Sequence, residues 1–367
     1  LVDISQRFCR EPWITADVYQ NGDVFFCCPS WIYSKPMGNL LEQPWDEIWN
    51  GPLARKARQS MLDSTFDCCI AKRCPSLLAE NIERAPVYEK SDMNSLWEVW
   101  GKVKPLKKYY ENRETYDPIG PTIVILSYDQ SCNLQCPTCR SDLIMHTPKS
   151  SSYKDLLKVH KIVTEVVCKD ADQITVAGSG DAFGSPLHRE FMRTLNPTDY
   201  PNLEFIRPMT NALLWNKPMW DSMKAVHPFV KGCYISIDAA TSETYNKVRT
   251  IKSSHGNFEQ LVENLKFINT IPDITEVSLA FVISHLNYFE VEKFLDMRKY
   301  FPDKEVSFIY YKVLKWNHFW TENSDFPNFA VWDKSHPKYE SFLKYWNRCL
   351  KRAKDDNIYL LHTLHGI

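Results

Sequence analysis

The chain has 367 residues, with 44 Lys and Arg against 45 Asp and Glu and a formal net charge of −1; that balance carries no footprint for nucleic acid or an anionic membrane surface. Hydrophobic residues make up 44% and aromatic residues 13%, which excludes a disordered chain and provides for a substantial core. The longest apolar runs, at residues 123–126 and 278–283, are strand-length and fall well short of the roughly 18 residues a membrane helix needs, so a soluble protein is expected.

Residues 1–10 hold no apolar signal core, and because the chain opens on Leu1, residues upstream of it stay open. The 12 cysteines suit metal binding better than a disulfide framework, which belongs mostly to short secreted domains. Thiols required as thiolates point to the reducing cytoplasm. Six cysteines fall early (Cys9, Cys27, Cys28, Cys68, Cys69, Cys74), three follow one another closely (Cys132, Cys136, Cys139), and Cys168, Cys233 and Cys349 are solitary.

In chain order, a small cysteine-rich domain is expected over residues 1–78. Asn21-Gly22 reads as a hairpin turn that carries Cys27 back towards Cys9, and helical segments return Cys68 or Cys69 and Cys74. Four thiols from separated points can enclose a metal centre and staple a domain of modest core; a zinc ion with four cysteine ligands is the competing reading. Residues 79–120 read as a charged helical linker, ending in the turn-forming Asp117-Pro118-Ile119-Gly120-Pro121.

From residue 121 to 316 the chain alternates strand-like and helix-length segments, the pattern of βα units around a parallel sheet. Six strands are expected near 122–127, 173–177, 203–209, 233–238, 276–283 and 305–311, with helices near 153–168, 187–195, 218–226, 258–268 and 288–300. Phe258, Leu261, Val262, Leu265 and Ile268 make one apolar helical stripe. Six units give an α/β fold, a partial (β/α)6 TIM-type barrel with its site at the C-terminal strand ends. Residues 317–367 form a C-terminal extension with a last helix near 339–353. Trp316, His318, Phe319 and Trp320 either line a substrate mouth or pack that helix.

Three features carry chemistry. After the first barrel strand, Ser131-Cys132-Asn133-Leu134-Gln135-Cys136-Pro137-Thr138-Cys139 holds three thiols in one loop. A [4Fe-4S] cluster held by three close cysteines keeps one iron open to another ligand. After the second strand, Gly178-Ser179-Gly180-Asp181 permits close backbone approach to a ligand. In the fourth, Ser236 and Asp238 share one strand face by period-two alternation, with Tyr245 and Arg249 downstream. Thr210-Asn211 either points at this site or makes a turn.

The C-x3-C-x2-C spacing at the start of a βα series resembles the radical S-adenosylmethionine (radical SAM) superfamily. That resemblance implies a [4Fe-4S] cluster on Cys132, Cys136 and Cys139, whose open iron is chelated by S-adenosylmethionine, and reductive cleavage to a 5'-deoxyadenosyl radical that abstracts a substrate hydrogen atom. It makes Gly178, Ser179, Gly180 and Asp181 contacts for the cofactor's ammonium group, Ser236 and Asp238 ribose or methionyl contacts, and Arg249 a partner for its carboxylate. Two positions depart from the family pattern: Thr138 stands where many members carry an aromatic residue, and Asp181 where many carry Glu.

The N-terminal pattern Cys9-x2-Pro12-Trp13, Gly22-x4-Cys27, Gly38-Asn39, Ile48-Trp49 and Cys69-x4-Cys74 resembles the SPASM or twitch auxiliary-cluster domain. Relatives carry this module after the barrel, whereas here it comes before it, so either the module is moved to the front or it belongs to a longer chain or a partly duplicated architecture. The resemblance implies one auxiliary [4Fe-4S] cluster on Cys9, Cys27, Cys69 and Cys74, with Cys28 and Cys68 as close rivals. It further implies a peptide or small-molecule substrate and a reductase such as flavodoxin or ferredoxin. Oxidative modification of a peptide is the first expected outcome. Epimerisation or dehydrogenation of a sugar or peptide carbon is the second, and a non-catalytic iron-sulfur or electron-transfer protein the third. No catalytic side chain is assigned.

Overall fold

The computed structural model describes residues 2–33, 35–79, 87–92, 105–251, 254–255, 257–313 and 325–364. Residues 80–86 and 93–104 of the expected linker lie outside them, as do Trp316, His318, Phe319 and Trp320. The chain divides into two compact units: the first holds Leu1–Asp129, Thr147–Ser179 and Asn196–Ile206, and the second the remainder.

In the first unit the elements are β1 (Arg7–Cys9), α1 (Glu11–Ile14), β2 (Thr15–Tyr19), β3 (Asp23–Phe25), β4 (Gly38–Asn39), α2 (Trp45–Trp49), α3 (Pro52–Leu62), β5 (Val87–Glu89), α4 (Leu106–Glu111), β6 (Ile123–Ser127), α5 (Tyr153–Ile162) and β7 (Gln173–Val176). Its main sheet runs β7-β6-β2-β3-β4. β6 pairs in parallel with β7 and with β2, the latter in the register Thr15↔Ile123 to Tyr19↔Ser127, so the cysteine-rich segment continues the sheet begun by the first two barrel strands. β1 and β5 form a separate antiparallel pair.

The β2–β3 hairpin turns at Gly22, whose φ of +87° is costly for any side chain with a Cβ. Asn39 fastens that turn, its Nδ2 donating to Asn21 O and Asp23 Oδ1 at 2.9 Å each. Behind the hairpin, α2 and α3 bury Ile48, Trp49, Ala54, Ala57 and Met61, and Trp13 on α1 is buried as well. Also fully buried is Arg58, donating to the carbonyls of Pro12, Trp49 and Thr115 and to Asn50 Oδ1. Its guanidinium stacks 4.8 Å from the Trp49 ring, and burial lowers its pKa to about 10.

The second unit contains α6 (Pro186–Thr194), β8 (Phe205–Thr210) from Arg207 onward, α7 (Lys217–Asp221), β9 (Gly232–Ser236), α8 (Ser242–Val248), the β10–β11 ribbon (Thr250–Ile251, Ser254–His255), α9 (Phe258–Asn269), β12 (Glu276–Ile283), β13 (Glu305–Lys312), α10 (Phe326–Phe329), α11 (Tyr339–Asp355) and β14 (Leu360–His362). Strands β8, β9, β12, β13 and β14 pair in that order, all in parallel. Burial of Leu261, Leu265 and Ile268 on α9 follows the predicted stripe, and Tyr339, Phe342, Trp346, Cys349 and Ala353 make the buried stripe of α11.

The fold class is α/β as expected, with all six strands present. Three expected helices differ. The one expected over 153–168 is α-helical only to Ile162 and continues as a π turn over Val163–Val167. Residues 218–226 give the short α7 followed by a 3-10 turn over Lys224–Phe229, which contains Pro228; proline supplies no N–H and cannot extend an α-helix. Residues 288–300 give two 3-10 pieces. Buried Tyr288, Val291, Phe294 and Met297 recur every third residue, the eclipsed spacing of a 3-10 turn. β14 was not expected, because three residues are too few to show a period. Among the described residues no helix is long and apolar enough to cross a membrane.

Candidate functional site

Cys132, Cys136 and Cys139 lie in an irregular loop of the second unit, Cys132 and Cys136 buried with Leu134 and Cys139 exposed. The loop folds tightly, with the N–H groups of Cys139 and Arg140 both donating to Cys136 O. Each sulfur receives an N–H donor of its own. Leu134 N lies 3.4 Å and Asn211 Nδ2 3.9 Å from Cys132 Sγ, Arg249 Nη1 3.7 Å from Cys136 Sγ, and Arg140 Nε 3.5 Å from Cys139 Sγ. Burial pushes the Cys132 thiol up to about 12 and also raises Cys136, against the opposing Arg249 charge. Thiolates form at such positions only with a cation beside them. Donors aimed at sulfur are the outer-shell arrangement of an iron-sulfur cluster, so the donor set fits that group. Among the described residues no three His, Cys, Asp or Glu side chains gather as they would round a single ion.

The glycine loop splits into two roles. Gly178 follows Ala177, whose φ is +70°, and a Cβ on Gly178 would stand 2.0 Å from Ser127 Oγ and 2.6 Å from Ile125 Cγ2; packing on β6 therefore already requires glycine there. Ser179 and Gly180 are half-buried, and Gly180 takes φ +87°. Asp181 is buried and fully engaged: Oδ1 accepts from Phe183 N and Gly184 N at 3.0 and 2.9 Å, Oδ2 from Thr210 Oγ1 and Asn211 N at 2.9 and 2.7 Å. Through Asn211, whose Nδ2 also reaches Asn133 Oδ1 at 2.8 Å, this carboxylate fixes the donor facing Cys132. Thr210-Asn211 thus both makes a turn, with Ala212 at φ +63°, and points at the cysteine loop.

β9 ends at Ser236, and Asp238 takes φ +62°, so the expected strand alternation stops before Asp238. Asn287 Nδ2 holds Asp238 O at 2.9 Å, and Glu290 accepts from Ala240 N and Thr241 Oγ1 at 2.6 and 2.5 Å. Held in that way, Asp238 accepts from Val282 N at 2.7 Å and pairs with Arg249 Nη2 at 2.7 Å. Two buried donors beside this pair, Arg249 Nε and Tyr245 Oη, have no partner among the described residues. Both feel the Cys136 charge. Orphaned donors beside the thiol loop are what an anionic or carboxylate-bearing ligand would satisfy. Ser236 is half-buried, in register with Ala280.

In the first unit Cys9, Cys27, Cys69 and Cys74 fall in one electrostatic neighbourhood, which Cys28 and Cys68 share. Desolvation raises the Cys9 and Cys27 thiols first, and the Glu11 carboxylate and Cys74 raise them further; Cys69 feels Cys9 and Cys27. Cys74 Sγ accepts from Leu77 N at 3.4 Å. The rivals have other partners nearby: Cys68 Sγ lies 3.1 Å from Ser60 Oγ and 3.8 Å from Cys69 Sγ, while Cys28 bonds Ser30, desolvation raising it to about 11.

Sequence reasoning missed Asp17, whose carboxyl burial raises to about 7 against hydrogen bonds from Ser127 and Tyr19. Ser127 Oγ donates to it at 2.5 Å from 110 residues away, a separation no local pattern reveals. A folded pKa above the unfolded value means that the folded chain holds the extra proton between the ordinary carboxylate value and about 7, so stability falls as pH rises through that window. The loss amounts to roughly 4 kcal/mol. Asp17→Asn is expected to flatten this slope, read as the denaturation midpoint at about pH 5 and about pH 8.

Residues 9–75 match the family model of SPASM, an iron-sulfur cluster-binding domain. No curated protein matches the chain. Among solved structures it is similar to native anSMEcpe with bound AdoMet (15% identity over 65% of this chain and 63% of that one, TM-score 0.42). It is also similar to native anSMEcpe with bound AdoMet and Kp18Cys peptide (16% identity, 65% and 62%, TM-score 0.43). A third is a radical SAM methyltransferase from Sphaerobacter thermophilus (14% identity, 67% of each chain, TM-score 0.42). The chain spans less than two thirds of the length of the anSMEcpe structures.

Proposed function

We propose that the chain is a radical SAM enzyme with its SPASM domain placed first, acting oxidatively on a peptide. The observation that carries this reading is the loop of Cys132, Cys136 and Cys139 with a separate N–H donor at each sulfur and two orphaned donors, Arg249 Nε and Tyr245 Oη, close by. When bound, a [4Fe-4S] cluster and S-adenosylmethionine supply reductive cleavage of the cofactor and hydrogen-atom abstraction. The chain's own part is to hold three thiolates, to aim N–H groups of Arg249 and Arg140 at two of them, and to offer Arg249 Nε and Tyr245 Oη to the cofactor's polar groups. Cys9, Cys27, Cys69 and Cys74 would hold the auxiliary cluster.

Epimerisation needs a thiol or similar group able to return a hydrogen atom to the substrate. Cys168, Cys233 and Cys349 are each at most 1% exposed, and Cys349 Sγ is spent on Val291 O at 3.3 Å. The solitary cysteines therefore favour oxidation over redox-neutral epimerisation. The test is anaerobic reconstitution of the wild-type chain, with iron and sulfide counted and deoxyadenosine assayed after reduction with S-adenosylmethionine. About eight irons and deoxyadenosine release are expected; about four irons and no deoxyadenosine would leave an iron-sulfur binding or electron-transfer protein.

A further inference from the structure

Arg249 is expected, from the family resemblance, to serve the cofactor's carboxylate. Its geometry commits most of its donors elsewhere. Nη2 lies 2.7 Å from Asp238 Oδ2, in a pair whose side chains are 10% and 4% exposed, and Nη1 lies 3.7 Å from Cys136 Sγ. The pair is set by several elements of the second unit. Arg249 closes α8, its N–H donating to Tyr245 O, and Asp238 is locked by Val282 N, Asn287 Nδ2 and a left-handed backbone.

We infer that the Asp238–Arg249 pair tunes the reduction potential of the cluster on Cys136, by giving its thiolate a hydrogen bond stripped of net positive charge. Reduction would add an electron to the cluster these thiolates hold, so a nearby cation or an N–H donor stabilises the reduced form and raises the potential. A bare buried guanidinium beside the sulfur would raise it far, making the cluster a poor reductant. The Asp238 carboxylate cancels that charge and leaves the directed N–H, which keeps the potential low and the Cys136 thiolate oriented. Asp238 and Arg249 are thereby positioning residues that act through Cys136.

The inference rests on the cluster assigned under the proposed function, and its test separates the two. The reconstituted full chain, Asp238→Asn and Arg249→Gln are titrated with reductant and followed by electron paramagnetic resonance. The cluster of interest is the one whose signal changes on adding S-adenosylmethionine, and the auxiliary signal serves as the internal control. Asp238→Asn uncovers the Arg249 charge and is expected to raise the potential. Arg249→Gln removes the charge and is expected to lower it. Each shift should reach at least a tenfold change in the oxidised-to-reduced ratio at fixed poise, 59 mV for one electron, with the auxiliary signal unmoved. A merely structural pair would not give shifts of opposite sign.

Full iron content with unmoved potentials, or shifts of the same sign, overturns the inference and spares the family reading. Failure of the wild type to give any signal responsive to S-adenosylmethionine overturns both. Should Arg249→Gln fold poorly, Arg249→Lys replaces it. Lysine keeps the charge but cannot reach carboxylate and sulfur with one planar fork, so its potential should stay within about 59 mV of wild type while that of Asp238→Asn rises. A lysine variant shifted as far as Asp238→Asn would overturn the inference.

Discussion

Alanine at Cys132, Cys136 and Cys139 together is expected to lower bound iron from about eight to about four per chain and to abolish deoxyadenosine release. The four cysteines assigned to the auxiliary cluster all belong to the first unit and the three replaced ones to the second, so the auxiliary iron should be retained. The fold should survive. Cys139 is exposed and sits in a loop, while Cys132 and Cys136 are small side chains that share a small apolar cluster with Leu134 and Leu213; truncating each removes one sulfur, a cavity cost on the order of 1 kcal/mol. Unchanged circular dichroism with halved iron is therefore the expected pair of readings. Iron near zero would mean that one centre supports the other, and undiminished iron would remove these thiols from the ligand set.

The parts of this site that show in the sequence are those whose chemistry is local. Three thiols within eight residues, Asn21-Gly22, and the six β-branched runs each declare themselves within one window, and the helix stripe of α9 is periodic enough to read. What stays hidden depends on partners far apart in the chain. Asp17 meets Ser127 across 110 residues and Asn211 meets Cys132 across 79; no spacing rule connects such pairs. Asp238 reads as a continuing strand residue because its left-handed φ of +62° arises from Asn287 and Glu290, about 50 residues later. The same holds for glycine. Gly178 looks like a ligand-approach glycine in the sequence, yet Ser127 and Ile125 on the adjacent strand already exclude a side chain there.

Asp181→Ala is expected to cost about 3–5 kcal/mol and to impair assembly of the three-cysteine centre. The carboxylate accepts four hydrogen bonds, three from backbone N–H groups and one from Thr210 Oγ1, and it is 1% exposed, so water does not replace it. Removing it strands buried donors, and each unsatisfied donor costs about 1–3 kcal/mol, with sums falling short of additivity because the loop relaxes. Burial raises the carboxyl's pKa even against those four donors, which shows how large the desolvation cost is that they offset. Asp181→Asn discriminates between charge and geometry. Its amide oxygen can still take the Phe183 and Gly184 N–H groups, but its NH2 would face the donors of Thr210 and Asn211, so it should fall between wild type and alanine in denaturation midpoint. The functional consequence travels through Asn211. Freed from Asp181, its backbone no longer fixes the amide that faces Cys132 Sγ, and iron retained at the three-cysteine loop should fall with the midpoint. An alanine variant with wild-type midpoint and iron content would show that Asp181 is dispensable to the loop and return it to the role of a cofactor contact.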